Sequence, residues 1–126
     1  MPGPGAVPTS RPGRLSRSAD VQRVLRRGRS SAGDLLALHR FERPAGDGAD
    51  VLGPRLTVVA SKRVGNAVRR NRAKRLLREA ARLRAWREGL DVVLVARARS
   101  ADSDVHQVGD ELDRLGARLD VFTATT

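Results

Sequence analysis

The longest unbroken aliphatic run in the 126 residues is Val92-Val93-Leu94-Val95-Ala96. A bilayer span takes about 20 apolar residues, so this run cannot provide one. Short, apolar and β-branched, it reads as a strand buried on both faces. The segments around it follow the order helix, strands, helix, strand, helix. That order implies an α/β two-layer sandwich, a small mixed sheet carrying three helices. The N-terminus lacks the apolar stretch of a secretory signal. The chain has no cysteine, which excludes a disulfide scaffold, a thiolate zinc site and a cysteine nucleophile. A soluble, cytoplasmic protein of one domain is the expectation.

Residues 1–13 are rich in Pro and Gly and read as a disordered tail. A single domain is expected over 14–119 and a frayed tail over 120–126. A first helix is predicted at 18–27, capped by Ser18 and stopped by Gly28. Residues 35–41 read as a strand without clean alternation, and Leu56–Ser61 as a second. The intervening 43–54 segment, with Pro44, Gly46, Gly48, Gly53 and Pro54, would join them as antiparallel neighbours. A long helix is predicted from Asn66, a candidate cap, to about Arg84. A last helix would be capped by Asp102 or Ser103 and bury Val105, Val108, Leu112 and Leu115.

Charge is concentrated in one stretch. Residues 62–87 carry eleven basic groups and one acid, Glu79, while residues 88–126 carry four basic and eight acidic groups. The net charge of +11 therefore comes almost wholly from 26 residues. A field focused in this way attracts polyanions. On a helical wheel Ala73, Leu76, Leu77, Ala80 and Leu83 converge on one face. Asn71, Lys74, Arg75, Arg78 and Arg82 project from the other, flanked by Arg70 and Arg72. Like charges at i, i+4 repel by a few tenths of a kcal/mol each. A helix built only for its own stability would intersperse acids, so a negatively charged partner is expected over this row. Guanidinium groups suit successive phosphates.

The run from Ser61 to Glu79, centred on Arg70-Asn71-Arg72, closely resembles the signature of the bacterial ribonuclease P protein subunit. Weaker similarity extends over about residues 14–118. The resemblance implies a ribosomal-protein-like fold with a left-handed strand–helix–strand crossover around the basic helix. It implies an accessory to a catalytic RNA, the two together removing the 5′ leader of precursor tRNA with Mg²⁺ in the complex. By the same similarity Arg70, Asn71, Arg72, Lys74, Arg75 and Arg78 would face the catalytic RNA, with Lys62, Arg63 and Asn66 near the motif's entry, and Arg82 extends that RNA-binding row by its helical spacing. A leader cleft would be lined by Val21, Leu25, His39 and Ser61. The family pattern favours aromatics at the first three of these, and this chain departs from it there. A monomer in a 1:1 complex with the RNA is expected, with no membrane partner.

Side-chain chemistry within the chain is not expected. His39 and His106 are the only histidines, and neither has an acid at triad or ligand spacing. No phosphate-binding glycine loop precedes a helix. The clustered carboxylates of a two-metal nuclease are missing from the most basic segment. No catalytic residue and no protein-held metal are therefore assigned. The rival readings are a ribosomal or RNA-chaperone-type protein, a DNA-binding module using the basic helix, and an RNA-independent endonuclease.

Overall fold

The computed structural model describes residues 13–44 and 53–123. The Pro/Gly-rich tail up to residue 12, the centre of the 43–54 segment and residues 124–126 lie outside the described residues. The elements run β1 (Gly13–Arg14), α1 (Ser18–Arg27), β2 (Arg29–Ala32), β3 (Leu36–Glu42), β4 (Arg55–Ala60), α2 (Ala67–Arg82), β5 (Leu90–Ala96) and α3 (Val105–Leu119). Short 3₁₀ turns, Lys62–Val64 and Ala98–Asp102, follow β4 and β5. None of the described helices is long and apolar enough to cross a membrane.

The sheet order is β1-β4-β5-β3-β2. The first three strands are parallel, while β3 is antiparallel to β5 and β2 to β3. Sequence placed β3 beside β4, but β5 lies between them. The reason is composition: β5 is apolar on both faces and gains most at the centre, paired on both edges. Two strands were not anticipated. The four residues of β2, Arg-Ser-Ser-Ala, are mostly exposed and carry no apolar signature, and β1 is only two residues long. In β3 the alternation is present after all, with Leu36, Leu38 and Arg40 buried. It was hidden because Leu35, Ala37 and Phe41 are apolar too.

Alternation along β5 divides the interior. Leu90, Val92, Leu94 and Ala96 join Leu36, Leu38 and Val58 beneath α2 and α3 in the main core. On the other face Val93 meets Leu15 and Val24, with Val21, Leu25, Phe41, Val59 and Val95 packed around them under α1. The Val108, Leu112 and Leu115 stripe of α3 is fully buried, extended by Leu119, and Val105 is half-buried.

Helix ends also differ from expectation. Ser18 is the first residue of α1 rather than its cap, and Arg17 precedes it without a capping hydrogen bond. Gly28 ends the helix as predicted, its backbone turning extended, and any Cβ there would collide with the carbonyl oxygen of Arg40. Asp104, not Asp102 or Ser103, caps α3, in a reciprocal box with Gln107. Both alternatives are engaged elsewhere: Asp102 pairs with Arg69, and the Ser103 hydroxyl donates to the Ser100 carbonyl.

The last residues described are not frayed. Val121 is fully buried, and the Thr123 amide donates to the Ala85 carbonyl at 2.8 Å. The Phe122 ring lies 4.9 Å from that of Trp86, at an interplanar angle of 58°. Gly116 makes room for it, since a Cβ there would strike the Phe122 ring.

Candidate nucleic-acid interface

Helix α2 begins where the sequence predicts. The Asn66 side chain accepts from the Arg69 amide at 3.0 Å, satisfying one of the free N–H groups of the first turn. Ala73, Leu76, Leu77 and Ala80 are buried. Leu83 is 67% exposed instead. The helix ends at Arg82, two residues short of the predicted Arg84, and Ala81 completes the buried stripe.

On the outer side, Asn71, Arg75, Arg78 and Arg82 are exposed, and Arg70 and Lys74 are half-buried. Lys62 and Arg63, exposed in the turn after β4, continue the row beyond the helix start. Among the described residues, Lys62, Arg63, Arg70, Lys74, Arg75, Arg78 and Arg82 form no intramolecular ion pair or side-chain hydrogen bond. Glu79, the one acid of the segment, pairs with none of them. The other cations of the stretch are engaged: Arg69 with Asp102, Arg84 with Asp113, and Arg87 with Glu42 and Asp120.

Arg72 has a double role. Its Nε donates to the Ala101 carbonyl at 2.8 Å and its Nη2 to that of Ser103 at 3.3 Å. It therefore braces α2 against the turn after β5, while its residue remains exposed. Nothing in a linear sequence reveals this, because the acceptors are backbone carbonyls about thirty positions away.

Parallel pairing brings the ends of β4 and β5 together, with Ala60 opposite Ala96. The two 3₁₀ turns that follow pack on each other and on the start of α2. This sets exposed Arg97 and Arg99 beside the Lys62–Arg63 turn. Sequence reasoning missed both arginines. Their signal was available, because a parallel pair must end with its C-terminal ends adjacent. Hydrogen bonding from Arg69, its charge, and the charges of Arg72 and Arg99 together hold the Asp102 carboxyl below the usual range.

The predicted cleft residues divide. Val21 and Leu25 are half-buried in the cluster under α1. His39 lies half-buried on β3, opposite Val93 of the same cluster. Burial pushes its imidazole pKa below the ordinary 6.5. Helix α1 packs on β3 and β5, and Val59 of β4, half-buried, packs on the same cluster. Ser61, exposed at the strand end, accepts from the Arg63 amide at 3.3 Å and belongs to the cationic turn rather than to the apolar cluster. Among the described residues no three His, Asp or Glu side chains are gathered to hold a metal ion.

Fold and surface together define a small mixed α/β protein with an unneutralised cationic helix face. The comparisons make that class specific. The profile of the ribonuclease P family matches residues 10–120. The ribonuclease P protein component of Clostridium novyi (strain NT) is 33% identical over 111 residues, covering 86% of this chain and 95% of its own length. That of Desulforamulus reducens is 34% identical over 107 residues, covering 83% and 89%. The solved RNase P protein of Staphylococcus aureus superposes with a TM-score of 0.72 at 27% identity, covering 87% of this chain and 97% of its own. The chain belongs to the ribonuclease P protein family.

Proposed function

We infer that the chain serves as the protein subunit of a cytoplasmic ribonuclease P, docking on the catalytic RNA and assisting removal of the 5′ leader from precursor tRNA. The observation that carries this reading is the row of partnerless cations on and beside α2, whose opposite face is locked into the core. Such a row offsets phosphate repulsion where catalytic RNA, substrate and metal ions meet, and so lowers the Mg²⁺ the complex needs.

Mg²⁺ is assigned to the RNA–protein complex, where phosphate oxygens supply hard ligands. Bond cleavage is assigned to the RNA, with a single copy of the protein supplying position and charge. The leader would lie on the α1 face, over Val21, Leu25 and His39. The aliphatic side chains there give apolar contact in place of the base–aromatic stacking that is worth about 1–3 kcal/mol per base. Of these three residues only His39 carries a ring for stacking.

The test is cleavage of precursor tRNA by the catalytic RNA at low Mg²⁺, with and without the protein. Added protein is expected to raise the rate and lower the metal requirement. If it changes neither, the assignment fails.

A further inference from the structure

One recess in the surface lies away from the α1 face. It is an open groove of about 580 Å³ between α2 and the outer edge of β4, a size typical of ligand sites. Lys74, Arg78 and Arg82 form one wall, Arg14 of β1 stands on the other, and Leu56, Val58 and Ala81 lie between them. None of the four cations has an intramolecular partner among the described residues. Arg14 is far from the basic segment in sequence, and only the pairing of β1 with β4 brings it here.

Three features constrain the occupant. The cations of α2 recur every fourth residue, a rise of about 6 Å per step, comparable with the phosphate repeat of an extended strand. The apolar floor gains nothing from a duplex, whose base faces are stacked inside. Unpaired bases can cover it, as in other cationic grooves that track single strands. Finally, β1 pairs only with Arg55 and Leu56. From Thr57 to Ala60 the outer edge of β4 has no neighbouring strand among the described residues. That edge offers backbone donors and acceptors to the edges of bases.

We propose that this groove binds an unpaired segment of the RNA docked on α2, with phosphates on Lys74, Arg78, Arg82 and Arg14 and bases against Leu56 and Val58. The site rests on the reading of α2 as an RNA-docking helix and adds a second wall and a preference for single strands. The charged rim excludes an uncharged partner. An acidic peptide pairing with the β4 edge is the competing occupant.

The absence of cysteine makes single-site attachment clean. Arg14→Cys, Leu56→Cys and Arg75→Cys variants, each carrying a photo-crosslinker, are reconstituted with the catalytic RNA, and adducts are mapped by primer extension. The first two are expected to mark one common unpaired segment and the third a neighbouring site. Adducts from position 75 with none from 14 or 56 would remove the groove and leave the docking helix. Adducts at 14 and 56 that fall within a duplex would also overturn the proposal. No adduct from any position would remove both readings. In parallel, Arg14→Glu is expected to weaken binding of an unpaired oligoribonucleotide about tenfold, with a change below about twofold for a duplex of equal length. Equal losses for both, or displacement of the oligonucleotide by poly-glutamate at equal charge, would count against it.

Discussion

Asp91 shows how much one carboxylate can organise. It is fully buried, opposite Phe41 and Arg55 in the sheet. Arg43 reaches it at 2.6 Å and Arg55 at 2.7 Å, with Arg23 of α1 at 3.5 Å. Arg23 also lies over the Phe41 ring, 4.7 Å from its centre. Burial alone would raise the Asp91 carboxyl, but hydrogen bonds from Arg55 and Arg43, with their charges, hold it below the ordinary 3.8. Its contribution to stability is therefore complete above that value and lost as pH falls through the lower folded value. Asp91→Asn leaves buried cations uncompensated and is expected to cost about 3–5 kcal/mol in urea unfolding at neutral pH. The acid limb of the stability profile should shrink with it. His39 titrates in another window. Its lowered pKa means that protonation favours the unfolded chain, so stability should decline as pH drops below 6.5. His39→Gln should flatten that part of the profile. Arg75 contrasts with Asp91, since nothing within the chain depends on it. Arg75→Ala should leave the urea midpoint unchanged and make the salt dependence of RNA binding shallower by roughly 0.7–0.9 in log–log slope. An unchanged slope would strike Arg75 from the contact surface.

At the level of elements, the legible parts were those whose pattern is local. Helix α1 occupies its predicted residues, α2 starts at its predicted cap and ends two residues early, and β5 is buried on both faces as its composition demands. What escaped depends on partners distant in sequence. Strand β2 has no pattern of its own and exists because β3 pairs with it and α3 secures the turn between them. The security comes from Glu111, buried in α3, which accepts from the backbone amides of Asp34, Leu35 and Leu36 at 3.0, 2.8 and 2.8 Å. A carboxylate gathering three amides is a strong interaction. Glu111→Gln should cost about 1–3 kcal/mol. Amide exchange in β2 should accelerate more than in α2; uniform acceleration would show that Glu111 does not act locally. The candidate site divides the same way. The outward row of α2 was readable from helical spacing, whereas Arg97, Arg99 and Arg14 join the surface only through strand pairing.

For the molecule as a whole, charge is polar rather than diffuse. The strongly basic stretch 62–87 is followed by a C-terminal part with twice as many acids as bases. Those acids neutralise arginines at the margin of the ridge, as in Arg69–Asp102 and Arg84–Asp113, and leave its centre open. Seven partnerless cations, each releasing about 0.7–0.9 counterions on contact with phosphate, set a total salt slope of about 5–6 for docking on RNA. Titration of affinity against salt measures it directly, and a slope near one would mean that the ridge is a bystander.

The attachment of α1 carries a last consequence. Leu15, just before the helix, is sunk in the smaller core, and Gly28, just after it, lies so close to Arg40 that no side chain fits. The helix is moored fore and aft and cannot swing away from the sheet. The apolar face at Val21, Leu25 and His39 is thus held in place, and tolerance for different guests on it must come from the bulk of those side chains rather than from movement of the helix.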